Sequence, residues 1–224
     1  MNGYKKYGLL IAGLLLLTVA CKKADYLTDG GLHNPKTPLS VYDYLKEHPY
    51  KLFDTLILIV DHYKLQEELN HTGTFFASTN YSITLYMNVR LEQKKRTDEN
   101  AKYTMDSLYK DLTADSVRQY MFSNKLPVSG FTDEQPHVFD NMVGTRFAVK
   151  KEKTTDRYYN EWSSVPVYFL YLIKIVGALD VPGTTPPANE EDIRVLCQTT
   201  GIETESGNGP LLHVLNNKHI FVRF

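Results

Sequence analysis

Gly73-Thr74-Phe75-Phe76-Ala77-Ser78-Thr79-Asn80 separates two helical patterns with a short apolar segment. Thr74 to Ala77 reads as a buried strand opened by Gly73, and Thr79-Asn80 reads as a turn that caps a following short helix. On the N-terminal side, Leu52, Phe53, Leu56, Ile59, Val60, Tyr63 and Leu69 recur at three- and four-residue intervals. That spacing predicts an amphipathic helix over Leu52 to Leu69, with a break near Asp61.

Working outward, Ser40 to Leu45 reads as a short helix capped by Thr37 or Ser40 and ended by Pro49. Glu92 to Asn100 is polar and charged and reads as a solvated loop or helix end. Leu108 to Leu126 holds one or two helical pieces with Thr113 or Asp115 as cap, closed by Pro127 and Gly130. The second half is strand-like. Thr145 to Lys150 alternates, and Val165 to Val176 is β-branched and aromatic. Ile193 to Cys197, Leu211 to Leu215 and His219 to Phe224 are further strands, and Val181 to Asn189 is a loop. Helices that precede strands predict an α+β fold rather than alternating βαβ units.

The N-terminus carries an export signal. Lys5 and Lys6 precede an uncharged apolar run from Gly8 to Val19, which is too short for a spanning helix of roughly 20 residues. Leu17-Thr18-Val19-Ala20-Cys21 then resembles the lipobox of bacterial lipoproteins, with Thr18 where Leu is usual. Residues 1–20 are therefore expected to be cleaved, Cys21 to carry lipid, and residues 21–36, rich in Gly and Pro, to act as a tether. The folded domain is expected over residues 37–224. Several acyl chains, at about 0.8 kcal/mol per buried CH₂, hold such a protein firmly on a membrane. Lys22 stands where an Asp would retain other bacterial lipoproteins at the inner membrane, which points to the outer membrane. Its periplasmic and cell-surface faces both remain open. With Cys21 lipidated, Cys197 has no intramolecular partner, so the domain must be held by its core.

Composition narrows the functional classes. The chain has 224 residues and 42% hydrophobic residues, enough for one globular domain. Its formal net charge is −1, and loss of Lys5 and Lys6 leaves it near −3. No basic surplus points to nucleic acid. The seven histidines form no close helical pair, and no zinc, nucleotide or nucleophile-elbow motif is present. We expect no metal, no cofactor and no catalytic residue.

A second segment, Gly207-Asn208-Gly209-Pro210-Leu211-Leu212-His213-Val214-Leu215, stands out beside the first. Asn208-Gly209 is a turn signal, since both residues tolerate positive φ. His213 lies in an apolar strand, where it reads as a core histidine bonded to backbone or, alternatively, as a ligand or metal site. Together, Phe76-Ala77-Ser78-Thr79-Asn80 and Asn208-Gly209-Pro210-Leu211-Leu212-His213 resemble the two signature blocks of the fasciclin family. Ser78 replaces the usual proline in the first. The Tyr-His pair that the family carries midway is represented only by Tyr120, in Gln119-Tyr120-Met121-Phe122-Ser123. The resemblance covers residues 37–224 and implies N-terminal helices packed on a sandwich or wedge of mixed strands. Phe76, Ala77, Thr79, Asn80, Asn208, Gly209 and His213 carry the two blocks, and their own chemistry reads as structural.

What the resemblance implies about function is adhesion or binding through surface contacts. The alternative is an accessory lipoprotein of a TonB-dependent outer-membrane nutrient importer of the kind found in Bacteroidota, and a hydrolase is a further one. The best contact candidate is Tyr158-Tyr159-Asn160-Glu161-Trp162. Its rings would stack on sugars, anchor a protein partner, or simply cover the sheet.

Overall fold

A computed structural model of the protein describes residues 35–161 and 163–224. Cys21, the cleavage site and most of the tether lie outside the described residues, as does Trp162. The described unit begins at Pro35: its carbonyl accepts the Glu203 amide, and the Thr37 amide donates back to the Glu203 carbonyl, both at 2.9 Å.

Ser40, not Thr37, caps α1 (Val41–Lys46), since its hydroxyl oxygen accepts the Asp43 amide at 3.1 Å. The long amphipathic pattern divides into α2 (Asp54–His62) and α3 (Gln66–Asn70). The break lies just beyond Asp61, where Lys64 takes a left-handed φ of 57°. Leu56, Ile59, Val60 and Leu69 still turn to one core. Tyr42 joins the three helices: its amide donates to Asn70 Oδ1 and its hydroxyl to Asp61 Oδ1.

The GTFFA segment forms β1 (Thr74–Ala77), buried along its whole length. Gly73 is required there by close approach, because a Cβ would collide with the Ser123 carbonyl. Next comes α4 (Asn80–Lys95), which at 16 residues is far longer than the expected short helix. Its buried side is only Ser82, Ile83 and Tyr86, too narrow a stripe to announce the helix by periodicity. Two short helices, α5 (Met105–Asp111) and α6 (Asp115–Arg118), follow. They lead into β2 (Met121–Phe122), a strand the helical reading of Leu108 to Leu126 did not anticipate.

The remaining strands are β3 (His137–Asp140), β4 (Arg146–Lys153), β5 (Tyr168–Lys174), β6 (Ile193–Glu203) and β7 (Leu211–Leu215). A short helix, α7 (Arg157–Glu161), lies between β4 and β5. The fold is α+β with one mixed seven-stranded sheet, ordered β2-β1-β7-β6-β5-β4-β3. Among the described strands, β1 and β7 run parallel and every other pair is antiparallel. The sheet curls until its edges nearly meet. The Met142 amide, just past β3, donates to the Met121 carbonyl of β2 at 2.9 Å. Phe75, Phe76, Phe122 and Phe147 fill the interior with Phe53 from the helical side and Phe221 from the C-terminus.

Two sequence expectations are corrected. His219 to Phe224 forms turns rather than a strand. The Phe221 amide donates to the Ser82 carbonyl and the Val222 amide to Tyr120 Oη, so the segment plugs the core instead of joining a ladder. The left-handed residues of the turn before β7 are Glu205, Ser206 and Gly207, whereas Asn208 has φ −88°. Gly209 is needed for space: a Cβ there would lie 2.6 Å from Thr204 Oγ1.

Candidate functional site

β5 and β6 pair from Lys174–Ile193 to Tyr171–Leu196, where their ladder ends. Beyond Leu196, β6 follows β7 instead, and it bends to do so. It carries one extra residue against β7 between Cys197 and Thr199 and another between Thr199 and Ile202. Such bulges increase local twist and turn a strand away from its former neighbour. A hollow of about 350 Å³ opens where the strands part.

Aromatic rings and uncharged polar groups line this hollow, among them Tyr159, Phe169, Gln198, Thr200 and Asn216. Tyr159 comes from α7 and stands edge-on to Phe169, with centroids 5.1 Å apart. Tyr158 packs edge-on against Tyr159 and is 71% exposed. The base of α7 is pinned: Asp156 Oδ1 accepts the Tyr158 amide at 2.9 Å, and Asn160 Nδ2 donates to the Thr154 carbonyl at 2.8 Å. Of the sequence-predicted aromatic patch, Tyr159 lines the hollow and Tyr158 does not.

His213 is fully buried on β7 opposite the second bulge. Its Nδ1 accepts the Gly201 amide at 3.2 Å, and its Nε2 donates to the Leu126 carbonyl at 3.0 Å. The bulge deprives Gly201 of a ladder partner, and the imidazole supplies one. Burial holds the ring neutral, lowering its pKa to about 4. Both nitrogens are thereby engaged in backbone bonds. Among the described residues, no group of three or more His, Cys, Asp or Glu is placed to hold a metal ion.

The Thr79 side chain makes no capping bond to α4, which Asn80 opens, and the Asn80 side chain turns elsewhere. Thr79 Oγ1 donates to Asn217 Oδ1 at 2.7 Å, which ties the start of α4 to the turn carrying Asn216. Asn80 Oδ1 accepts the Thr55 amide at 2.9 Å, and its Nδ2 donates to the Lys51 carbonyl, so its side chain secures the first turn of α2. Ala77 is buried opposite Val214. Asn208 and Gly209 lie in the turn at the far end of β7, where Lys125 Nζ donates to the Gly207 and Gly209 carbonyls.

Tyr120 does have a histidine partner, although not one beside it in sequence. Its hydroxyl takes the Val222 amide and lies 2.8 Å from Nε2 of His219, in the turn after β7. Burial lowers the His219 pKa to about 4, so the tyrosine hydroxyl meets a neutral ring. No spacing rule connects these residues; only the C-terminal plug brings them together. Cys197, on β6 beside the groove, is a buried free thiol whose pKa burial raises. Among the described residues, no helix is long and apolar enough to cross a membrane. Compared with models of known families, with curated proteins and with solved structures, the chain matches none.

Proposed function

We propose that the protein is a fasciclin-like binding module, held on the outer membrane by lipid at Cys21, which takes glycan chains in the groove between β5 and β6. The observation that carries this reading is the lining of the groove. Sugar rings present apolar C–H faces that rest on aromatic faces and edges, and hydroxyls that pair with amides and alcohols. Phe169, Gln198 and Thr200 on the sheet, Tyr159 on α7 and Asn216 in the turn after β7 together offer both. The fasciclin-like reading is supported by the position of the two resembling blocks. Phe76 and Ala77 lie beside His213 and Val214 in a parallel pair, although the blocks are remote in sequence.

The test uses the lipidated protein purified in detergent and probed on an array of neutral and acidic glycans. Tyr159→Ala and Trp162→Ala should each weaken binding roughly three- to tenfold, the range of one aromatic contact. If both variants bind every retained glycan as the parent does, the groove is not the site. Radiolabelled palmitate should enter the parent and not Cys21→Ala. Protease treatment of intact cells then decides whether the groove faces the exterior or the periplasm.

A further inference from the structure

The groove does not end at Asn216. That residue and Leu196 also line a second hollow, of about 440 Å³, between the Ile193 end of β6 and the turn after β7. Its charged lining is cationic, made of Arg194, Lys218 and Arg223, with no carboxylate among the lining residues. Arg194 lies over the Tyr171 ring and bonds Glu152 Oε2 at 2.7 Å. Glu152 also holds Lys150 at 3.0 Å, so these three groups keep one net positive charge. Lys218 and Arg223 are exposed, and among the described residues neither forms an ion pair. His219 lines the same hollow as a neutral ring.

The chain as a whole is nearly balanced at −1, so this strip is a local separation of charge rather than a general basic surplus. Guanidinium groups grip carboxylate and sulfate through paired hydrogen bonds, while an ammonium acts as a point charge. Resting on the binding-module reading above, we infer that the ligand is an anionic glycan of uronate or sulfated sugars. Its rings lie against Tyr159 and Phe169, and its acidic groups lie among Arg194, Lys218 and Arg223.

The experiment compares full-length lipidated protein in detergent on four probes: polygalacturonate, dextran sulfate, neutral dextran, and phosphatidylglycerol vesicles. Polygalacturonate supplies carboxylates, dextran sulfate supplies sulfates, and dextran supplies neither. At least one acidic polymer should bind tenfold or more tighter than dextran. Lys218→Gln with Arg223→Gln should weaken that binding roughly tenfold, in line with two exposed charge contacts. Charge reversal with Lys218→Glu and Arg223→Glu should abolish it. Lys94→Gln with Lys102→Gln, in another basic hollow at the end of α4, should leave it unchanged. Near-ultraviolet circular dichroism checks that each variant is folded.

Equal binding of dextran and the acidic polymers would overturn the inference. So would binding indifferent to Lys218 and Arg223, or vesicles bound as tightly as polygalacturonate. Loss on Tyr159→Ala without loss on the double Gln variant sinks the anionic inference and leaves the glycan groove standing. Loss on the double Gln variant alone sustains the anionic site and removes the aromatic groove from the function. If no polymer binds, both readings fall.

Discussion

Phe76 and His213 face each other across the parallel β1–β7 pair, their rings stacked with centroids 5.0 Å apart and planes 22° from parallel. The same imidazole bridges the β6 bulge at Gly201 to the Leu126 carbonyl. One side chain therefore joins the central strand pair to the bend that opens the groove.

His213→Phe keeps a ring against Phe76 and removes both hydrogen bonds. The Gly201 amide and Leu126 carbonyl are left unpartnered, at about 1–3 kcal/mol each. Urea unfolding should show a loss of roughly 2–6 kcal/mol, and a variant as stable as the parent would contradict the bridging role.

Acid should destabilise the fold through His213 and His219. Both folded pKa values lie near 4, below an unfolded value of about 6.5. Between these values the unfolded chain binds protons that the folded chain does not, so stability rises with pH. The contribution is fully present above pH ~6.5 and is lost as pH falls toward ~4. Each histidine accounts for something on the order of 3 kcal/mol. Thermal midpoints measured across that window should fall, and His219→Gln should flatten the slope. An unchanged slope in that variant would show that His219 titrates in the fold as it does in the unfolded chain.

Thr79 and Asn217 should be energetically coupled. Thr79→Val and Asn217→Ala, alone and combined, form a double-mutant cycle whose coupling should be about 1 kcal/mol. A helix cap made by Thr79 alone would give no coupling. Asn80→Ala should raise amide exchange at Thr55 more than at the start of α4, because its side chain bonds there.

Gly73→Ala pushes a methyl group into the Ser123 carbonyl, where only backbone can yield. Overpacking of this kind costs about 1–3 kcal/mol or more. The denaturation midpoint should drop accordingly, whereas Gly130→Ala, with its nearest neighbour 3.7 Å away, should change little.

Cys197 is buried and its thiol is held protonated. In native protein it should resist a thiol reagent such as dithionitrobenzoate, and it should react once guanidinium unfolds the chain. Rapid reaction in the native state would mean that the groove wall opens at β6.

Local pattern carried much of the fold. The spacing of Leu56, Ile59, Val60 and Leu69, the Ser40 cap, the apolar TFFA and LLHVL runs and the alternation after Thr145 each report a short-range preference. Those preferences yield helices, strands and an α+β class. Pattern misled where tertiary contacts overrode it. His219 to Phe224 alternates like a strand, yet Phe221 inserts into the core and Val222 bonds to Tyr120. Met121 and Phe122 read as helix because a two-residue strand has no periodicity.

The groove was legible only in part. Tyr158 and Tyr159 stand out in the sequence as an aromatic cluster, but Gln198, Asn216, Lys218 and Arg223 carry no motif. By itself, the sequence determined α1, α2 and α3, most of the longer strands and the buried character of β1 and β7, because these follow from side-chain periodicity. Only the tertiary structure decided that the blocks around Phe76 and His213 pair in parallel, that His219 serves Tyr120, and that a cationic hollow adjoins the aromatic one at Leu196 and Asn216. Those relationships depend on how β6 bends and where the C-terminus returns, and contacts between remote residues leave no periodic trace along the chain.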